Sequence, residues 1–308
     1  MMKIFKSFLL LLIPVLMVVS IADGTHSMLN EPLQEIDSIF NGPIAKGSIS
    51  NNALDEISGM AVSTSNPDYI WAHNDSGDDP RIYLFDKSGK HKGIFFFKNA
   101  YFRDVEDMAI GPGPEQDRDY LYIADIGDNL AVHDYNYIFR IEEPYVKHLE
   151  DPAFVEVSDF DKITYVYPDG QRDAEAIMVD PRTKDIIIIS KREPQVHLYK
   201  LPYPQSTTDT ITAEFLGKLN TSMVVAADWA ANGRDVLIKT YRNIYYWELS
   251  ENEPIQAITE RKPKNLPYVR EPQGEAIAWD IDATGYFTAS EEMKIFDAVL
   301  YYYKRKAQ

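Results

Sequence analysis

Apolar and polar positions along this chain come in short bursts bounded by turn chemistry, and the bursts recur. Five segments share a small-apolar pattern: SGMAVS at 58–63, EDMAIG at 106–111, EAIMVD at 175–180, ADWAAN at 227–232 and EAIAWD at 275–280. Each runs into Asn, Asp, Gly or Pro, whose backbone preferences and side-chain caps suit tight connections. A second apolar stretch follows each turn, namely YIWAH, YLYIA, IIIIS, VLIKT and YFTAS. A third comes next, RIYLFD, YIFRIE, VHLYKL, NIYYWEL and VLYYYK. Runs of β-branched and aromatic residues between turn signals predict strands. Beyond the N-terminal segment no stretch carries a helical period of 3.6.

Four of the units offer a fourth strand: GIFFFK at 93–98, KITYVY at 162–167, AEFLGKL at 213–219 and IQAITE at 255–260. The fifth has none before Gln308, but PIAKGSI at 43–49 supplies a replacement from the other end of the chain. A first strand that completes the last blade closes a propeller and removes its sheet edges. The prediction is therefore an all-β protein, a β-propeller of five four-stranded blades over residues 40–308. A six-bladed alternative stays open, because 144–161 has room for another strand pair. A β-sandwich also has regular strands and turns, but it does not require the same first-strand motif five times.

The first residues change the picture of where the protein works. Lys3 and Lys6 precede an apolar stretch from Phe8 to Ala22, broken by Pro14 and ending in small residues. This predicts a secretory signal over 1–22, followed by a leader over 23–39, and hence a secreted, periplasmic or extracellular protein. An uncleaved anchor is the alternative, since the run approaches the length of a spanning helix. No later segment is apolar enough to span a bilayer. The net charge of −17 disfavours nucleic acid and anionic lipid as partners. The chain has no cysteine, which removes disulfides, thiolate metal sites and cysteine nucleophiles from consideration.

Candidate chemistry gathers at one end of the blades. Antiparallel strands bring the start of strand one and the end of strand two together beside the central channel. Aligning the five repeats places Glu106, Glu175 and Glu275 at strand starts, with Ser58 and Ala227 in the other two units. Asn74, Asp125, Lys191, Tyr241 and Glu291 fall at the ends of the second strands. The acidic turns NDSGDD (74–79) and ADIGDN (124–129) project over the same face. Converging carboxylates repel one another unless a cation or protons neutralise them. Calcium takes oxygen ligands of this kind, so Glu106, Asp125, Glu175 and Glu275 are the candidate metal ligands. Lys191, Arg192 and Arg242 border the same mouth; with Asn74, Tyr241 and Glu291 they make a candidate site for a small anionic ligand or a segment of a partner protein. Asp125, Glu175 and His73 are the candidates for proton transfer. No zinc-binding histidine spacing, G-x-S-x-G elbow or phosphate-cradling glycine loop is present.

The strings LDEISGMAVSTSNPDYIWAHNDSGDDPRIYLFDKSG, VEDMAIGP, YLYIADIGDN, DAEAIMVDPRT and QGEAIAW resemble those of a group of secreted bacterial propeller proteins. The resemblance implies the fold and a cell-envelope or extracellular location. The EAI and EDM strand starts are more distantly similar to lactonase-like (SMP-30 type) and phytase-like propellers, which hold calcium near the central channel. Two functions are carried forward: a monomeric binding or recognition propeller with a calcium-holding acidic mouth, and a calcium-dependent hydrolase of a lactone, phosphoester or other anionic ester.

Overall fold

A computed structural model describes residues 36–51, 53–292 and 298–307; the signal-peptide reading and most of the leader fall outside them. Five antiparallel sheets are arranged as the blades of a propeller. Blade one consists of Ile57–Val62, Tyr69–Asn74, Arg81–Asp86 and His91–Phe97. Blade two is Val105–Pro112, Asp119–Asp125, Asn136–Glu142 and Asp161–Val166. Blade three is Ala174–Val179, Ile186–Ser190, Val196–Leu201 and Glu214–Leu219. Blade four is Val224–Trp229, Asp235–Thr240, Ile244–Glu248 and Lys264–Leu266. Blade five is Ala276–Trp279, Gly285–Ala289 and Val299–Lys304, completed by the N-terminal strand Ile44–Ser48. That strand pairs antiparallel with Val299–Lys304, as the sequence predicts. The first strands of successive blades touch in order, and that of blade five meets that of blade one.

The buried residues explain why this sequence closes a ring. They form five clusters, one at each contact between neighbouring blades. Side chains alternate sides along a strand, so a strand sandwiched between two neighbours must be apolar on both faces. Ile186 and Ile188 enter the cluster shared with blade two, while Ile187 and Ile189 enter the one shared with blade four. Likewise Leu121 and Ile123 face blade one, and Tyr122 and Ala124 face blade three. The continuous IIII and YLYIA runs are thus read from both sides. Large aromatics fill the widening wedges: Trp71, Tyr83, Tyr122, Tyr199, Tyr246 and Tyr286 are fully buried.

Two parts of the predicted strand order are corrected. IQAITE is not the fourth strand of blade four. Residues Ile255–Thr259 form a 3-10 turn after Pro254, with Ile255 and Ile258 buried; that i, i+3 spacing fits three residues per turn. The strand is Lys264–Leu266 instead. The 144–161 stretch builds no sixth blade. It leaves blade two, lays Ala153–Val157 parallel to the outer strand of blade one, and returns. Blade three repeats the manoeuvre with Ile211–Thr212, parallel to the outer strand of blade two.

One buried carboxylate ties the inner strands together. Asp107 is wholly buried; its Oδ2 accepts the backbone N–H of Ile177 in blade three (3.0 Å) and of Ala227 in blade four (3.2 Å). Its Oδ1 accepts the N–H of Met108 at 2.8 Å. Asp228 extends the tie to blade five by accepting the N–H of Trp279 at 2.7 Å. Removing the Asp107 carboxylate orphans buried donors in three blades, and each such donor costs on the order of 1–3 kcal/mol. Asp107→Ala is therefore expected to lower the unfolding free energy by about 3 kcal/mol or more in a urea titration, and Asp107→Asn, which keeps an acceptor, by less. A loss for the alanine variant under about 1 kcal/mol would mean that these bonds do not hold the inner ring.

Candidate functional site

The mouth of the channel is built by one irregularity repeated in four blades. Each inner strand carries a β-bulge beside its start, between Ile57 and Gly59, Val105 and Asp107, Ala174 and Ala176, and Val224 and Ala226. Bulges leave one residue out of the ladder and re-aim its side chain. The residues so placed are Ser58, Glu106, Glu175 and Val225, and Glu275 immediately precedes the paired segment of blade five. Glu106, Glu175 and Glu275 therefore occupy the positions that the repeat alignment gives them. Blade four is shifted by two: Val225, not Ala227, is the equivalent residue.

The second strands also need a shift in register. Asp75, Lys191 and Glu291 donate the same backbone hydrogen bond, to the carbonyls of Glu56, Asp173 and Gln273. Asp75 rather than Asn74 is thus the counterpart of Lys191, Tyr241 and Glu291. Asn74 instead caps the loop: its Oδ1 accepts the N–H of Glu56 and its Nδ2 donates to Ala53 and Asp78. Asp125 does the same work in blade two, accepting the N–H of Asp104 at 2.8 Å and of Arg103 at 3.2 Å through Oδ1. His73 is buried behind the strand; its Nδ1 lies 2.8 Å from the Asn74 carbonyl and its Nε2 has no partner. Burial pushes its pKa down, so the ring is neutral.

Three carboxylate triads converge on the mouth, each with ligand oxygens within 4.8 Å of one another: Asp75–Glu275–Glu291, Asp75–Asp104–Glu106 and Glu106–Asp173–Glu175. The third is answered by bases. Lys191 pairs with Glu175, Arg192 with Asp173 at 2.5 Å, and the Asp128 N–H also reaches Asp173. Lys191 further donates to the Tyr241 hydroxyl, 3.2 Å away, and Tyr241 donates to Glu275 Oε1 at 2.5 Å. The other two triads have no ion pair among the described residues. Glu106 and Glu275 are both about 4% exposed, and Glu275 Oε2 has no partner among the described residues. The Glu106 carboxylate accepts no hydrogen bond among the described residues, and a Cβ on Gly127 would sit 2.1 Å from its Oε1 and 2.4 Å from Asp104 Oδ2. Gly127 of the second acidic turn is small because these carboxylates press against it. Gly77 of the first turn faces open space, and its φ of +93° is what requires glycine there.

No protein-family model and no curated protein sequence matches the chain. Among solved structures it is similar to a luciferin-regenerating enzyme, with a TM-score of 0.43 and 11% identity, covering 85% of this chain and 95% of that one. That likeness assigns no residue a role.

Crowding shows in the titration of the mouth. Burial, then the charges of Asp75, Asp173 and Asp125, raise Asp104 to about 6. Burial, then Glu275, Asp75 and Glu56, raise Glu291 to about 7. Glu106 is raised by burial and by Glu175, Asp75 and Asp104. Burial also raises Glu175, with Lys191 opposing. A carboxyl raised in the folded state binds more protons there than when unfolded, so its contribution is destabilising once ionised. The penalty is absent below the ordinary carboxyl pKa and complete above the folded value. In chelator, the melting temperature is expected to fall between about pH 5 and pH 8, and the double variant Asp104→Asn, Glu291→Gln to flatten that fall. An unaltered pH profile in the double variant would show that these groups do not carry it.

Proposed function

We propose that the protein is a binding propeller whose channel mouth holds a divalent cation and, through it, a small anionic ligand. The observation that carries this reading is the set Asp75, Asp104, Glu106, Glu275 and Glu291: five carboxylates at one opening, without ion pairs among the described residues, with Glu106 and Glu275 buried and Glu275 Oε2 unpartnered among those residues. Such a set is stable at neutral pH only with protons or a cation among it. The donors are all oxygens and carry no imidazole or thiolate, which fits calcium better than zinc or copper. A secreted, periplasmic or extracellular location, the expectation from the N-terminal segment, would put the site where calcium is available.

Lys191, Arg192 and Arg242 give the ligand its second contact. Lys191 and Arg192 lie against the acids of the third triad, while Arg242 is exposed beside Tyr241. A carboxylate or phosphate group set between the cation and this basic side would complete both charges. A second reading, a calcium-dependent hydrolase of a lactone or phosphoester, draws on Glu175. Its carboxyl is buried, raised and adjacent to both Glu106 and Lys191, which suits a group that exchanges protons at a metal site.

Calcium added to chelated protein is expected to raise the melting temperature, by the equivalent of about 2.7 kcal/mol at a hundredfold excess over Kd. Glu106→Gln is expected to weaken calcium binding at least tenfold in calorimetry. Neither heat nor a shifted melting point with calcium would overturn the proposal. Turnover of an ester, lactone or phosphoester panel that is lost in Glu175→Gln would favour the hydrolase over the binding protein.

A further inference from the structure

The two unpaired triads share a residue. Asp75 belongs both to the set with Glu275 and Glu291, contributed by blade five, and to the set with Asp104 and Glu106, contributed by blade two. Asp75 itself stands at the end of the second strand of blade one, between those two blades in the ring. We propose that the mouth holds two cations, one in each triad, bridged by the Asp75 carboxylate. This rests on the cation-binding reading above and adds to it a count, a bridge and a ligand geometry.

Charge supports two ions rather than one. Five carboxylates carry five negative charges when ionised, and one divalent ion leaves three of them facing each other at close range. A second ion leaves one. Lys191 offers a single positive charge, which reaches Glu106, Glu275 and Glu291 but is already matched by Glu175. Its ammonium is spent on Glu175 and on the Tyr241 hydroxyl, which in turn donates to Glu275 Oε1. The opposite oxygen, Glu275 Oε2, is buried in the first triad and has no partner among the described residues. The second triad has its own unsatisfied group, the Glu106 carboxylate, which is buried and accepts no hydrogen bond among the described residues. Each triad therefore presents one buried carboxylate in need of a partner, and they lie on opposite sides of Asp75. In the third triad Lys191 answers Glu175 and Arg192 answers Asp173, which leaves only Glu106, already counted in the second triad, so this triad takes no ion of its own. It forms the basic border of the same opening. An oxyanion with two free oxygens, a phosphate or a carboxylate, is the ligand that such a pair of ions recognises.

The test is the number of calcium ions bound per chain, measured on the full protein by equilibrium dialysis and atomic emission. Two ions are expected for the wild type, one for Asp104→Asn, one for Glu291→Gln, and at least tenfold weaker binding of both for Asp75→Asn. These three side chains are only part-buried, so the variants should fold, and circular dichroism checks that they do. An independent measurement needs no variant. Terbium and europium replace calcium at oxygen sites, and wild-type protein loaded with both should show energy transfer between them. One ion per wild-type chain without energy transfer would overturn the bridged pair and leave the single-cation reading standing. No ion at all would overturn both.

Discussion

A ring of blades has its weakest geometry at the axis, where inner strands meet backbone to backbone and side chains have little room. Here the inner strands are joined by one carboxylate. Asp107 takes backbone donors from blades two, three and four at once, and Asp228 carries the tie on to blade five. Without that tie those buried donors would go unpaired at a cost. The same β-bulge that sets Asp107 beneath the mouth turns its neighbour Glu106 into the opening. The stabilising layer and the charged layer are therefore consecutive residues of one strand. Changing the bulge would move both.

The outer edges are managed by a different rule. Each blade's exposed edge is covered by chain belonging to the next blade in the ring. Ala153–Val157 lies on blade one and Ile211–Thr212 on blade two. The 3-10 turn Ile255–Thr259 packs against the outer strand of blade three, with Thr259 against Gly217. Ile36 bridges to Asn265 at the edge of blade four, and the Ser88–Gly89 turn presses on Gly47 and Ser48 at the edge of blade five. An uncovered edge is a template for pairing with another chain. With no cysteine available, this overlap fastens each blade to its neighbour outside the core, complementing the aromatic wedges within it.

The blades were legible in the sequence because burial on two faces writes itself as apolar runs of fixed length. The closing strand was legible too, since a missing fourth strand at one end needs a spare one at the other. The edge covers were not. Ala153–Val157 alternates exposed and buried residues as any edge strand would, and nothing local says that its partner lies in the preceding blade. Glu106, Glu175 and Glu275 could be placed from their shared EDM and EAI context. Asp75 could not, because the second strands end at Asn74 and Asp125, both of which turn inward to cap a loop, and the repeat alignment makes those two the equivalent residues. A slip of one residue exchanges the two faces of a strand, and it hid the carboxylate common to two triads. Blade four escaped for the opposite reason, since its equivalent residue is Val225 and carries no chemistry to notice.

The recurrence of the acidic turn therefore has two causes. In both copies the last residue of the second strand, Asn74 or Asp125, caps the loop that leads into its own blade's inner strand, which fixes the strand start and the glutamate or serine beside it. The glycines differ. Gly77 serves the backbone, while Gly127 makes room for Glu106 and Asp104. A residue chosen for space beside two carboxylates means that their crowding is built into the fold rather than tolerated at its surface. Crowding of that kind lowers stability whenever the groups ionise without a counter-charge, and among the described residues the ion pairs at the mouth, those of Lys191 and Arg192, fall on Glu175 and Asp173. That distribution leaves two triads without an ion pair among the described residues, which is the physical reason to look for a cation from outside.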